Sequence, residues 1–192
     1  YDVDRGTIDI DGEPIKTLNL NSLRSNIGFV PQDPFLFSDT LKNNIKFGNQ
    51  NATDLEVIDA AKKAVVHENI INFKKGYDTI LGERGITLSG GQKQRVSIAR
   101  AFIKKPQILL LDDCLSAVDT ETEEQILNNI ELVTKNKTTI IVSHRISSAK
   151  NADSIVVLND GVITQKGTHN TLISVEGYYK ELYQKQLRES SN

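Results

Sequence analysis

Apolar and polar residues alternate along this chain with two periods, one typical of strands and one typical of helices. Residues 6–15 alternate around an Asp-Gly pair, a pattern typical of a tight β-hairpin. Residues 25–33 form a short apolar strand that ends at Pro31 and Gln32, because proline cannot donate to a sheet ladder. We therefore expect an antiparallel edge first and then a strand that leads into a loop.

Helical spacing takes over in the middle of the chain. Thr53 and Glu56 have the spacing of a capping box, and apolar residues follow them at every third or fourth position. Ser89 and Gln92 have the same spacing and open a second helix. Residues 38–87 contain helical patterns but no long strand, so we expect a helical lobe there.

Two continuous apolar runs follow, at residues 108–111 and 138–143. Such runs are typical of strands that are buried on both faces of a parallel sheet. Residues 122–133 predict the crossover helix between them, and residues 154–165 predict a second hairpin. With a C-terminal helix after residue 178, the predicted fold class is α/β, with a parallel core sheet, an antiparallel β edge and a helical subdomain.

Composition limits the class of protein. The 192 residues carry 23 Lys and Arg against 25 Asp and Glu, a net charge of −2 that gives no argument for a nucleic-acid partner. Cys114 is the single cysteine, which excludes an internal disulfide and suits a reducing compartment. No apolar run reaches the ~18 residues that a membrane span needs. The chain has no methionine, so we expect it to be a fragment.

Polar side chains follow the predicted strands at the points where they end. Gln32, Asp112, Asp113 and His144 come directly after strands, and ligands of open parallel sheets bind at the carboxyl ends. An apolar strand that ends in Asp suits a Mg²⁺ site beside nucleotide phosphates, because Mg²⁺ prefers hard oxygen ligands. The same pattern also describes an ordinary turn, so the strand end alone decides nothing.

A glycine pair at the start of a helix is a second candidate binding feature, suited to an anion. In LSGGQKQR, residues 88–95, Gly90 and Gly91 let backbone N–H groups and the helix dipole approach an anion, and Ser89 adds a hydroxyl. A helix cap with a flexible turn would explain Ser-Gly-Gly by itself. The full octet is much more specific.

These motifs together resemble the nucleotide-binding domain of ABC transporters over essentially the whole chain. The octet resembles the ABC signature, VPQD with Gln32 resembles the Q-loop, and ILLLDD resembles Walker B. SAVD (116–119) resembles the D-loop, and the Ser-His-Arg triplet with His144 resembles the switch histidine. GERG (82–85) and FLFSDTLKNNI (35–45) resemble the exporter branch, in which these regions face the coupling helices of the membrane domain.

The resemblance implies a mechanism in which two such domains meet head to tail with ATP sandwiched between them. Gln32 is then expected to sense the γ-phosphate and Mg²⁺, Asp112 to hold Mg²⁺ through water, and His144 to contact the γ-phosphate. The residues expected at ATP held by the partner domain are Ser89, Gly90, Gly91 and Gln92, with Asp119 of the D-loop also at the nucleotide. The implied partners are a second nucleotide-binding domain and a transmembrane domain, and the implied location is the cytoplasmic face of the cell membrane.

One motif of the family is absent. A Walker A loop requires Gly-Lys, and none of the 12 glycines precedes a lysine. We therefore expect residues 1–192 to be a partial, N-terminally truncated P-loop NTPase-like ABC ATPase domain that lacks the A-loop and Walker A. Within it, residues 38–105 include the helical subdomain and the signature helix. The piece alone should bind ATP poorly, and we expect it to be marginally stable or to expose an apolar face.

A second departure is Asp113, which stands where most family members have the glutamate that polarises the attacking water. Aspartate is shorter by about 1.5 Å, and a misplacement of that order can cost ~10²-fold in rate. We therefore expect a degenerate site, typical of one half of a heterodimeric exporter. Two alternatives stay open: a non-catalytic, nucleotide-clamping subunit, and a soluble ABC-type ATPase acting on DNA or ribosomes, against which the charge balance and GERG argue.

Overall fold

Strands and helices alternate along the computed structural model, which describes residues 3–82 and 88–190. The strands in chain order are β1 (Asp9–Ile10), β2 (Glu13–Pro14), β3 (Ile27–Val30), β4 (Ile108–Asp112), β5 (Thr138–Val142), β6 (Ile155–Asn159) and β7 (Val162–Gly167). The helices are α1 (Leu20–Asn26), α2 (Leu41–Lys46), α3 (Asp54–Lys63), α4 (His67–Ile71), α5 (Gly90–Phe102), α6 (Thr120–Val133), α7 (Ile146–Ala149), α8 (His169–Ser174) and α9 (Tyr178–Ser190). Short 3-10 turns lie at Ile15–Thr17 and Gly76–Asp78.

The core sheet is parallel and has the order β3–β4–β5. Val30 of β3 pairs with Leu111 of β4, and Asp112 of β4 pairs with Val142 of β5. The three carboxyl ends therefore meet at one edge of the sheet, as the sequence predicts. No helix of the described part of the chain is long and apolar enough to cross a bilayer.

Two antiparallel hairpins stand apart from this sheet, and both turn at an Asp-Gly pair. The turn between β1 and β2 has φ 51° at Asp11 and φ 81° at Gly12, and the turn between β6 and β7 has φ 47° at Asp160 and φ 77° at Gly161. Two consecutive positive φ angles match the right-handed twist of a hairpin, which explains why this dipeptide is favoured there. Both predicted hairpins are confirmed.

The core sheet is covered on one face and open on the other. Leu109 and Leu111 are each 1% exposed, whereas Phe29, Ile140 and Val142 are 54%, 52% and 53% exposed. The expectation that both apolar runs are buried on both faces is wrong for β5. Alternate side chains of a strand point to opposite faces, and residues 3–82 and 88–190 leave the face with Ile140 and Val142 uncovered. The expected exposed apolar face is this side of the sheet.

Helix α5 forms the centre of the covered side. Val96, Ile98 and Ala99 are fully buried, in one hydrophobic cluster with side chains of α2, α3 and β4. The predicted capping boxes open both α3 and α5: Thr53 and Glu56 cap α3, as Ser89 and Gln92 cap α5. Residues 38–82 hold α2, α3 and α4 and contain no strand among the residues described.

Arg100 on α5 organises the loop that precedes α2. Its Nε donates to the carbonyl oxygen of Asn44 at 2.8 Å, its Nη1 to the carbonyl oxygen of Phe35 at 2.8 Å, and its guanidinium lies 5.6 Å from the ring centroid of Phe37 and 5.5 Å from that of Phe47. Burial lowers the pKa of Arg100 to about 10, so the side chain stays cationic at neutral pH. Arg100 is therefore a half-buried side chain that joins α5 to residues 35–47.

Gly48 lies where α2 crosses α5, and we expect Gly48→Ala to destabilise the fold. A Cβ atom at this position would lie 2.0 Å from the carbonyl oxygen of Arg100 and 2.9 Å from Cγ2 of Ile103. The helices must separate, which should lower the free energy of unfolding by about 3 kcal/mol in urea titration. Gly82→Ala is the matched control, because a Cβ there meets nothing within 4 Å. Equal stability of the two variants would contradict this packing.

Candidate functional site

Four sequence-predicted residues lie at the carboxyl edge of the core sheet. Gln32 follows β3, Asp112 ends β4, Asp113 comes next, and His144 lies two residues beyond β5. The Nε2 atom of Gln32 lies 3.4 Å from Oδ2 of Asp113, although 81 positions separate them in the chain. The structure thus places the side chain of Gln32, in the loop after β3, beside the carboxylate of Asp113, which follows β4.

The backbone of Asp113 is held in an uncommon conformation. Its φ is 42°, in the left-handed region, which aspartate tolerates better than most residues. Its N–H donates to the carbonyl oxygen of Val142 at 2.8 Å, and its own carbonyl accepts from Oγ of Ser116 at 3.0 Å. These bonds turn the chain sharply out of β4 and direct it toward residues 116–119.

The oxygen-rich edge of the sheet fits Mg²⁺ only with help from other ligands. Among residues 3–82 and 88–190, no group of three or more His, Cys, Asp or Glu residues could hold a metal ion. Asp112 and Gln32 supply hard oxygen atoms at the ends of neighbouring strands. Mg²⁺ at protein sites usually takes one or two carboxylates and completes its shell with phosphate and water, so these residues fit such an ion at a nucleotide.

The glycine turn at residues 89–91 begins α5 with a complete capping box. Oγ of Ser89 accepts from the N–H of Gln92 at 3.2 Å, and Oε1 of Gln92 accepts from the N–H of Ser89 at 3.0 Å. The first turn of a helix still carries N–H groups without intrahelical partners, and Gly90 and Gly91 leave the approach to them open. The geometry is suited to an anion.

The start of α5 is fastened to the loop after β4. A Cβ atom on Gly91 would lie 2.6 Å from the carbonyl oxygen of Ala117, so only glycine permits this approach. Gln94, which is 5% exposed, accepts from the N–H of Ala117 at 3.2 Å and donates to Oγ of Ser116 at 3.3 Å. Sequence analysis missed this role of Gln94; its position inside the octet was the available indication.

A buried carboxylate fastens the same loop from the other side. The side chain of Glu123 is 3% exposed, forms an ion pair with Arg145, and accepts from the hydroxyls of Ser147 and Ser148 at 2.7 Å each. Nη2 of Arg145 also donates to the carbonyl oxygen of Ser116 at 3.1 Å. Glu123 was missed because the run TETEE resembles a solvated helix face.

Asp119 has a local role at the start of α6. Its carboxylate accepts from the N–H of Thr122 at 2.9 Å and caps the helix. The hydrogen bonds from Thr122, and more weakly the charge of Arg95, lower the pKa of Asp119. Contact of Asp119 with a nucleotide stays a prediction. The stretch GERG is described only at Gly82, so the exporter-like residues 83–85 lie outside the described residues.

Breaking the Glu123 network should be costly. We expect Glu123→Ala to lower the free energy of unfolding by about 3 kcal/mol, because Arg145 and two hydroxyls lose their acceptor in a buried setting. The measurement is equilibrium urea unfolding. Glu124→Ala, at the exposed neighbouring position, should change stability by less than about 0.5 kcal/mol. Similar losses in the two variants would show that the network contributes little.

Cys114 should react slowly because it is buried beside two acids. It is 2% exposed, and burial, with smaller contributions from Asp113 and Asp112, raises the pKa of its thiol to about 12. Because the thiolate is the nucleophile, alkylation by iodoacetamide at pH 8 should be at least about a hundredfold slower than in guanidinium, and should accelerate as pH rises through 10. Fast labelling of the folded chain at pH 8 would contradict a packing role.

Comparison with known proteins places these motifs in a family. Residues 1–116 match the family described as ABC transporter. The chain is 53% identical over 186 residues to ATP-binding cassette sub-family B member 6 of Xenopus tropicalis, covering 97% of this chain and 22% of that protein. It is 52% identical over 183 residues to a putative multidrug export ATP-binding/permease protein of Staphylococcus aureus, covering 95% of this chain and 32% of that protein.

The fold agrees with a solved transporter. A bacterial Atm1-family ABC exporter, solved with ATP bound, superposes with a TM-score of 0.94 at 44% identity, over 97% of this chain and 33% of that one. The chain thus spans between about a fifth and a third of the length of these three relatives. The match confirms the predicted α/β fold of an ABC ATPase domain. The chain belongs to the ABC transporter family.

Proposed function

We propose that this chain is the ATP-binding and ATP-hydrolysing domain of an ABC exporter. In this proposal ATP closes a head-to-tail dimer with a second nucleotide-binding domain, and hydrolysis reopens it to drive transmembrane export. The supporting observation is the loop of residues 113–119. It is joined to Gln32 by the side chain of Asp113, to α5 by Gln94, and to the His144 segment by Arg145.

This arrangement suits a domain that serves two nucleotides. Asp112, Gln32 and His144 would act on the nucleotide at the sheet edge, the first two as ligands of Mg²⁺ and the last at the γ-phosphate. Ser89, Gly90, Gly91 and Gln92 would bind the nucleotide of the partner domain through the open start of α5. Mg²⁺, when bound, supplies positive charge that offsets the charge developing on the phosphates.

Asp113 makes the sheet-edge site slow in this proposal. Its side chain is one carbon shorter than glutamate, and its Oδ2 lies 3.4 Å from the amide of Gln32. The backbone bonds of Asp113 to Val142 and Ser116 fix the origin of this short side chain. We expect the homologous partner domain to be non-identical and to bring a catalytic glutamate to the site that this chain completes with its signature turn.

An exposed aromatic surface is suited to the membrane domain. Phe35 and Phe47 are 62% and 56% exposed. Arg100 donates to the carbonyl oxygen of Phe35 and lies 5.5 Å from the ring centroid of Phe47. Exposed apolar side chains on a rigid, hydrogen-bonded frame are typical of protein contacts. We propose that coupling helices of the membrane domain bind here, which would place the chain at the cytoplasmic face of the membrane.

The second candidate function is a subunit that clamps ATP without turnover, and Asp113 is the observation that favours it. Both candidates bind nucleotide in the same way. They differ in whether the site on this chain hydrolyses ATP at all. Single-turnover hydrolysis in the transporter assembled with the partner domain distinguishes them.

Lengthening the acid at position 113 should accelerate hydrolysis. In an assembled transporter whose partner domain carries glutamine in place of its catalytic glutamate, only the sheet-edge site can turn over. There we expect Asp113→Glu to raise the ATPase rate by about tenfold or more, because the carboxylate gains about 1.5 Å of reach toward the water. The measurement is steady-state phosphate release at saturating ATP and Mg²⁺.

Asp112→Glu is the matched control for this experiment, because it adds the same methylene to the neighbouring acid. It should lower the rate, since Asp112 is proposed as the Mg²⁺ ligand. An unchanged rate in Asp113→Glu would argue against a degenerate site. No hydrolysis in either the parent or Asp113→Glu would favour the clamping subunit.

A further inference from the structure

The three-residue segment between β5 and α7 carries His144, and within it the N–H of Arg145 donates to Oγ of Ser143 at 3.0 Å. β5 ends at Val142, and α7 begins at Ile146. Arg145 is the N-cap residue of α7, but its side chain makes no capping hydrogen bond. Because the first N–H groups of a helix lack intrahelical partners, α7 needs an acceptor from another part of the fold.

Gln186, far away in the chain on α9, supplies that acceptor. Its Oε1 accepts from the N–H of Ile146 at 2.9 Å, and its Nε2 donates to the carbonyl oxygen of His144 at 2.8 Å. The C=O of a residue and the N–H two positions later are the pair that a neighbouring strand would satisfy. One side-chain amide therefore replaces a missing strand and fixes the backbone on both sides of Arg145.

The packing of α9 places Gln186 beside the segment that carries His144. Tyr179 is 3% exposed and Ile146 is 5% exposed, and both belong to a second hydrophobic cluster that Leu182 and Tyr183 pack against. Positions 179, 182, 183 and 186 follow helical spacing and lie on one face of α9. The same face that buries the helix thus presents the amide of Gln186 to the His144 segment.

The segment is held from the opposite side as well. Arg145 reaches Glu123 on α6 and the carbonyl oxygen of Ser116. His144 itself is exposed, so its imidazole is accessible while its backbone is fixed. The segment is therefore clamped between the loop of residues 113–119 and the C-terminal helix.

We propose that Gln186 is a positioning residue for His144, so that α9 takes part in ATP hydrolysis without touching the nucleotide. This inference rests on the proposed function of His144 at the γ-phosphate. Release of the Gln186 amide would let the backbone of residues 144–146 move, and a shift of about 1 Å at a catalytic group is enough to slow a reaction strongly. Substrate binding elsewhere in the site would be nearly unaffected.

Amide hydrogen exchange of the chain tests the contact between Gln186 and Ile146 directly, and this measurement does not depend on ATPase activity. In Gln186→Ala the N–H of Ile146 should exchange at least about tenfold faster, because its acceptor is removed. The N–H of Lys150, which donates to the carbonyl oxygen of Ile146 at 2.9 Å, should remain protected and shows that α7 is still folded. Gln184→Ala, at an exposed position of the same helix, is the matched control. Unchanged exchange at Ile146 in Gln186→Ala would overturn the inference.

The effect on catalysis is tested in the assembled transporter with the partner domain's catalytic glutamate replaced by glutamine, so that turnover reports only the site that His144 serves. Gln186→Ala should lower kcat for ATP by about tenfold and change KM by less than about twofold, while Gln184→Ala should leave both unchanged. Gln186→Glu keeps an acceptor for Ile146 and loses the donor to His144. It should therefore protect the Ile146 amide and still lower kcat.

The two tests separate the two proposals. Faster exchange at Ile146 with an unchanged kcat in an active transporter would overturn the positioning role and leave the ATPase function standing. An equal change in kcat for Gln184→Ala would also overturn it, because the effect would then belong to α9 as a whole. An inactive parent transporter would contradict the proposed function, and the exchange measurement would still decide whether Gln186 fixes the segment.

Discussion

Burial of α5 is the constraint on which most of this structure depends. The helix lies under the sheet and against the lobe, with apolar residues such as Val96 and Ile98 fully buried. Two of its polar side chains, buried Gln94 and half-buried Arg100, leave it in different directions: Gln94 binds the loop after β4, and Arg100 binds the loop before α2. Six residues of helix separate them by about 9 Å, so the register of α5 fixes the distance between the loop of residues 113–119 and the aromatic surface.

Elements that depend on local interactions could be predicted from the sequence. The Asp-Gly turns and the Thr53 and Ser89 capping boxes form as expected, because each needs only residues within four positions of one another. The strand ends that carry Gln32, Asp112 and Asp113 were also found, since apolar runs mark parallel strands. The resemblance to ABC transporters then related these strand ends to the signature octet, which is distant from them in the chain.

Long-range polar contacts could not be predicted. Glu123 lies in a run of acids that resembles a surface, yet the fold buries it against Arg145. Gln186 follows the helical stripe of α9 but is polar, so periodicity assigns it no partner. The exposure of Ile140 and Val142 was missed for a related reason: an apolar run shows that a strand can be buried, but neighbouring elements decide which of its faces are covered.

The close approach of Gly91 to Ala117 has a consequence for how variation at the glycine turn is interpreted. A Cβ atom at Gly91 would lie 2.6 Å from the carbonyl oxygen of Ala117, so packing alone requires glycine at this position, independently of any role at a nucleotide. At Gly90 an added Cβ would make only an ordinary contact of 3.5 Å with Cβ of Ala117. A substitution at Gly90 therefore reports on anion binding at the turn, whereas a substitution at Gly91 also disturbs the packing against Ala117.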